Sequence, residues 1–164
     1  MPSLLKVQFI HGLESSPQGA KSQRLAGEFN TLTPAMDTSD FEACVQIQNE
    51  QLAAFAPDVL VGSSFGGAVA LAMVQRRLWS GPTLLLAQAG LHYGLSASLP
   101  DGVSVWLVHG RSDDVVDPQD SRRLAAAGNA KSVRLIEVDD DHRLRKSVAN
   151  GDLIGWVRAL ATLP

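Results

Sequence analysis

The stretch Val59-Leu60-Val61-Gly62-Ser63-Ser64-Phe65-Gly66-Gly67-Ala68 decides how the chain folds. Val59, Leu60 and Val61 form a short, wholly apolar run, the pattern of a strand buried on both faces. Gly62-Ser63-Ser64-Phe65-Gly66 then matches G-x-S-x-G, and a helical pattern follows over 68–78. A strand passing into a helix through a glycine-flanked serine is the setting of a nucleophile elbow. The turn is tight and strained, so small residues must flank it and Ser64 stands at its tip, with Ser63 the weaker candidate. At the N-terminus of the next helix, the Phe65 N–H and the helix dipole face any negative charge that develops beside Ser64.

Outward from this junction, apolar runs alternate with helical stretches. Strands are expected over 4–10, 31–34, 59–61, 83–87, 103–108 and 132–138. Phe41, Val45, Leu52 and Phe55 recur at helical spacing, and Cys44 flanks that stripe as a small buried hydrophobe. Asp117-Pro118 is a strong helix start, with Asp at the N-cap and Pro at the first helical position, and Gly128 suits that helix's end. Ser16-Pro17 reads as a similar start for a helix over 18–29. Leu153, Val157 and Leu160 share one face of a closing helix. The alternation implies an α/β fold, a parallel sheet between two helix layers. Ligands of such open sheets bind beyond the carboxyl ends of the strands, so functional residues should lie just after strands.

The composition removes competing classes. The chain has 164 residues, 45% of them hydrophobic, a formal net charge of −3 and one cysteine. That length suits a single domain over 1–164 with a self-sufficient core. No basic patch marks a nucleic-acid binder. No apolar run approaches the roughly 20 residues that span a bilayer. The opening residues lack the pattern of a signal peptide, and a lone cysteine forms no internal disulfide, so a soluble cytoplasmic protein is expected. Gly62 to Gly67 fits neither G-x-G-x-x-G nor G-x-x-x-x-G-K-[ST], which argues against a nucleotide-binding domain. No oligomeric state is legible.

A serine needs a base to become a nucleophile, and the base needs an orienting acid. Of the four histidines, His11 and His109 each precede a glycine at a strand end and read as structural, while His92 reads as a solvated loop residue. His142, in Asp139-Asp140-Asp141-His142 just after the last strand, occupies the place of the base in a Ser…Asp…His order. The acid should follow a strand between Ser64 and His142. Asp101 is too distant and Asp117 is accounted for as a cap, which leaves Asp113 and Asp114, and spacing alone does not separate them. A second oxyanion donor should come from the loop after the first strand, where Gly12 permits a sharp turn and the Leu13 N–H is the candidate.

Assembled, these residues resemble the α/β-hydrolase superfamily. His11-Gly12, the elbow at Ser64, the Gly110-to-Asp113 turn and His142 stand in family order across nearly the whole chain. His11-Gly12-Leu13-Glu14-Ser15-Ser16-Pro17, followed by Ala20-Lys21, looks like the small cap-less bacterial esterases of the YqiA type. The resemblance implies Asp113 as the acid, three residues after the glycine of its turn. It implies Ser64, Asp113 and His142 as catalytic, Leu13 and Phe65 as the oxyanion hole, and His11, Gly12, Gly62 and Gly66 as supporting-loop residues. It implies a three-layer α/β/α sandwich, a minimal hydrolase core of about six mainly parallel strands in the order 2-1-3-4-5-6 without a cap. The expected function is hydrolysis of carboxylic esters or thioesters of short to medium acyl chains on small molecules, with no metal or cofactor. A non-catalytic binding protein on the same fold, an acyltransferase and a peptidase are the alternatives. The acidic run at Asp139 to Asp141 is expected to disfavour anionic substrates.

Overall fold

The structure, a computed structural model, describes residues 3–13 and 15–164. Six parallel strands, β1 (Lys6–Ile10), β2 (Asn30–Leu32), β3 (Val59–Ser63), β4 (Thr83–Leu86), β5 (Val105–Gly110) and β6 (Val133–Val138), form one sheet in the order β2-β1-β3-β4-β5-β6. All five pairings are parallel. Helices α1 (Ala20–Ala26), α2 (Phe41–Phe55), α3 (Phe65–Gln75), α4 (Pro118–Ala127), α5 (Arg145–Ala149) and α6 (Asp152–Ala161) provide the connections and the closing layer.

Each strand alternates its side chains between two cores, as the two-residue strand period requires. Ile10, Leu60, Leu85, Val105 and Leu107 pack against α2, α3 and α4. Val7, Phe9, Val59, Val61, Leu84, Leu86, Trp106 and Val108 pack against α1 and α6, where Leu25, Leu153, Val157 and Leu160 meet them. Burial on both faces explains why the central strands read as unbroken apolar runs. Helix α3 is buried along its length, from Phe65 to Val74. Cys44 is fully buried on α2. Asp117 caps α4 by accepting from the Gln119 N–H, with Pro118 at the first helical position.

The elements depart from expectation where a side chain or turn outweighs local pattern. Strand β1 starts at Lys6, leaving Leu4 exposed before it. β2 lies one residue earlier than expected and ends before Pro34. Helix α1 starts at Ala20 rather than Gln18, because Ser16 and Pro17 form a turn of their own. The Ser16 carbonyl accepts from the Gly19 N–H at 3.0 Å and the Ser16 hydroxyl from the Gln18 N–H at 3.2 Å, so Gly19 becomes the N-cap. Helix α3 starts at Phe65, three residues before its apolar pattern, so its first turn abuts Ser64 directly. β5 runs two residues further, and its last residues, His109 and Gly110, pair with Glu137 and Val138.

The order reverses direction between β1 and β3, which opens a crevice at their carboxyl ends. The connection from β4 to β5 holds a single turn of 3-10 helix, Gly90–Tyr93, and no cap.

Candidate active site

Ser64 occupies the sharp corner between β3 and α3, with φ 56° and ψ −114°. A non-glycine residue at positive φ stores roughly 1–3 kcal/mol of strain and persists only where the surroundings enforce it. Here they do so through close packing. A side chain at Gly62 would strike the Gly66 carbonyl, and one at Gly66 would strike the Ile10 carbonyl, so glycine is required at both for steric reasons. The Ser64 N–H donates to the Leu86 carbonyl at 2.9 Å, and the Ser64 carbonyl accepts from the Ala68 N–H and the Ala89 N–H, both at 3.1 Å. The turn is thus tied to β4 on one side and to α3 on the other.

His142, on the loop after β6, places Nε2 2.9 Å from Ser64 Oγ. Its Nδ1 lies 2.7 Å from Asp113 Oδ2. The carboxylate can only accept, so the imidazole proton sits on Nδ1 and the Nε2 lone pair faces the serine hydroxyl. Asp113 lies in the turn after β5, its side chain removed from solvent. Burial pushes its pKa up, but hydrogen bonds from His109, His142 and the Val116 and Val115 N–H groups outweigh that and hold the carboxyl well below the usual carboxylate range. Asp114, its sequence neighbour, is exposed.

Phe65 is the first residue of α3, so its N–H has no carbonyl partner within the helix and stands beside Ser64. Gly12 lies against the serine across the crevice; a Cβ there would sit 3.5 Å from Ser64 Cβ. The Gly12 carbonyl accepts from His11 Nδ1 at 2.9 Å and from the Ser15 N–H at 3.3 Å. Across a trans peptide the N–H points opposite to the carbonyl, so these bonds turn the Leu13 N–H away from its own loop.

The three aspartates before His142 serve α5. Asp140 is buried and accepts from the Ser147 N–H and the Ser147 hydroxyl, both at 2.9 Å. Asp139 pairs with Lys146 and Asp141 with Arg145. The run therefore anchors the loop that carries His142, and its charge is partly balanced by basic side chains. His92, expected to be solvated, lies half-exposed on the 3-10 turn with Nε2 3.6 Å from Asp120. Beside the elbow, the rings of Phe65, Phe41 and Tyr93 pack together at centroid distances of 5.1 to 5.8 Å.

His109 is the residue the sequence under-read. It is structural and fully buried, yet its Nε2 lies 3.1 Å from Asp113 Oδ2, the oxygen that also receives His142. The available signal was its spacing, four residues before Asp113. Ser121 and Gln88, which continue the contact behind it, carry no sequence signal. Among the described residues, no group of three or more His, Cys, Asp or Glu side chains is placed to hold a metal ion.

Six parallel strands in this order between two helix layers, uncapped, with the strained serine after the third strand, make up the α/β-hydrolase fold. Solved structures share it. A protein from Xanthomonas campestris pv. campestris assigned to the alpha/beta hydrolase superfamily superposes with a TM-score of 0.74 at 24% identity, over 96% of this chain and 99% of that one. An alpha/beta serine hydrolase without a lid, also from Xanthomonas campestris, gives a TM-score of 0.66 at 18% identity, over 99% and 86%. An esterase domain from a Rhodothermus marinus protein gives 0.69 at 16% identity, over 96% and 87%. No protein-family model matches the sequence, and no curated protein matches it. Among the described residues, no helix is long and apolar enough to cross a membrane.

Proposed function

We propose that this protein is a serine hydrolase, a single domain over 1–164, that cleaves small carboxylic esters or thioesters through an acyl-enzyme. The observation that carries the reading is the continuous chain Ser64 Oγ–His142 Nε2 at 2.9 Å and His142 Nδ1–Asp113 Oδ2 at 2.7 Å, raised on a strained turn beside a helix N-terminus. Ser64 Oγ attacks the carbonyl carbon while its proton passes to His142 Nε2. Asp113 accepts the Nδ1–H throughout, which fixes the tautomer and stabilises the imidazolium. The N–H groups of Leu13 and Phe65 receive the oxyanion, each contributing about 2.7–4 kcal/mol of transition-state stabilisation. His142 returns the proton to the leaving alcohol or thiol, and water then attacks the acyl-enzyme with His142 again as base. Side chains and backbone supply every step.

What surrounds the serine supports this substrate class. The short β4–β5 connection leaves the crevice open, which favours modest selectivity. Leu13 and Val115 on loops and Tyr93 on the 3-10 turn, each following a strand's carboxyl end, expose apolar side chains. They offer a surface for an acyl chain of short to medium length. A cytoplasmic setting is part of the same proposal.

The test is labelling with a fluorophosphonate probe, wild type beside Ser64→Ala, followed by a panel of nitrophenyl esters and acyl thioesters. Wild type is expected to label and to turn over acetyl through octanoyl esters, and Ser64→Ala to do neither. A wild type inert to probe and panel, or a Ser64→Ala variant that labels equally, refutes the reading.

A further inference from the structure

We propose that His109, locked as its Nε2–H tautomer by Ser121 and Gln88, is a positioning residue that fixes the Asp113 carboxylate and through it His142; the proposal rests on the serine-hydrolase reading above. The tautomer follows from hydrogen-bond accounting that begins some distance from the site. Gln88 Oε1 accepts from the Gly90 N–H at 2.8 Å, which settles which end of the amide is oxygen. Gln88 Nε2 then donates to Ser121 Oγ at 3.2 Å. With that lone pair engaged, the single hydroxyl proton of Ser121 is directed to His109 Nδ1 at 2.7 Å. A ring nitrogen that accepts leaves the proton on the other, so His109 carries it on Nε2. That N–H is shared between Asp113 Oδ2 at 3.1 Å and the Val116 carbonyl at 3.0 Å. Gln88, Ser121 and His109 are all fully buried, so water does not compete for these bonds.

The effect on Asp113 is geometric. Its Oδ1 accepts the Val115 and Val116 N–H groups at 2.9 and 2.8 Å. Its Oδ2 accepts two imidazoles, His109 from behind and His142 from the crevice. Two backbone donors alone leave the Oδ2 end free to rock about the side-chain torsion; His109 removes that freedom at the atom that orients His142. The relay also reaches the nucleophile. A Cβ at Gly67, in the first turn of α3, would lie 2.8 Å from Gln88 Cβ, so Gln88 is wedged against the helix that follows Ser64. The helix carrying the elbow and the turn carrying the acid are thereby held in one frame, and errors well under an ångström in such frames are felt in the rate.

The test uses the full chain as wild type, Ser64→Ala, His109→Leu, His109→Gln and Ser121→Ala, with nitrophenyl butyrate turnover and thermal melting. His109→Leu is expected to lower kcat by about 10- to 100-fold with KM changed less than about twofold, because the reacting geometry is lost while the substrate surface is untouched. His109→Gln, whose amide can still donate to Asp113, is expected to recover most of that loss. Ser121→Ala, which removes one hydroxyl, is expected to fall between and carries the test if His109→Leu does not fold. Nitrogen NMR of His109 in the Ser64→Ala protein, which needs no turnover, is expected to show the proton on Nε2, and an Nδ1 resonance shifted by loss of its hydrogen bond once Ser121→Ala is added. Unchanged kcat in both folded His109→Leu and Ser121→Ala, a loss expressed in KM, or a proton found on Nδ1 overturns the proposal. These outcomes are distinct from failure of the underlying reading, which appears as Ser64→Ala matching wild type.

Discussion

Replacing Asp113 with Asn keeps the side chain's shape and changes one acceptor atom into a donor. Both ends of the carboxylate already face donors, the Val115 and Val116 N–H groups at Oδ1 and the two imidazoles at Oδ2. The amide oxygen can satisfy only one pair. The backbone N–H groups cannot change their protons, whereas the His142 imidazole can change tautomer, so the amide oxygen should turn to Val115 and Val116 and its NH2 to His142, leaving the His109 Nε2–H on the Val116 carbonyl. His142 then accepts at Nδ1 and carries its proton on Nε2, where it meets Ser64 Oγ as a donor instead of a base. On the proposed mechanism, general-base assistance is lost while the oxyanion donors and substrate surface remain. The expected loss is about 10³- to 10⁴-fold in kcat, or about 4–5.5 kcal/mol of transition-state stabilisation, with KM little changed. Stopped-time hydrolysis of nitrophenyl butyrate at pH 7.5 reads this directly, and slowed fluorophosphonate labelling is a second measure. Asp114→Asn, on the exposed neighbour, serves as the control and should stay within about twofold, as surface substitutions away from a site usually do. An Asp113→Asn enzyme within tenfold of wild type would show that Asp113 does not set the His142 tautomer.

Three further outcomes follow from the same geometry. Ser64→Gly should abolish activity as Ser64→Ala does but melt higher, because φ 56° at that corner is strained for any residue with a Cβ and free for glycine, a difference of about 1 kcal/mol; equal melting temperatures would mean the turn stores no strain. The Asp113 carboxyl is held well below its ordinary value of 3.8, so the stability it contributes is complete above about pH 4 and drains away as pH falls toward the folded value. Thermal melts between pH 2.5 and 6 should therefore slope more steeply for wild type than for Asp113→Asn, and parallel slopes would remove Asp113 from the acid sensitivity. Lys21 on α1 packs beside Leu144, Ser147 and Trp156, and burial, opposed by Asp141, lowers its pKa to about 8. The unfolded chain keeps that proton to higher pH, so wild-type stability should rise from pH 8 toward 10. Lys21→Met should melt higher than wild type at pH 7 and lose that rise; a lower melting temperature would refute the desolvation account.

Much of this structure is written locally. Val59 to Gly66 specifies strand, corner and helix because the constraints are all short-range: apolar residues for a strand buried on both faces, and glycines where Gly62 and Gly66 meet backbone carbonyls. Asp117-Pro118 specifies a helix start because a cap acts within one turn. The failures are equally physical. The pattern over 68–78 misplaced the start of α3, since Gly66 and Gly67 are buried by packing against β1 and Gln88 rather than by their own hydropathy. Ser16-Pro17 resembled a helix cap, but its hydroxyl and carbonyl close a turn before the helix begins.

By itself, then, the chain determined the order and type of its strands and longer helices, though not the short helix α5 or the 3-10 turn, and which residue types stand after which strands, because periodicity and turn chemistry act over a few residues. Only the tertiary structure decided which of two adjacent aspartates faces His142, since Asp113 and Asp114 differ by which points inward after β5 and not in chemistry. Only it showed that Asp139 to Asp141 belong to α5 and that His109 reaches Asp113 with Ser121 and Gln88 behind it. Those contacts join residues up to 33 positions apart, and a hydrogen bond's dependence on tenths of an ångström has no signature in the order of residues.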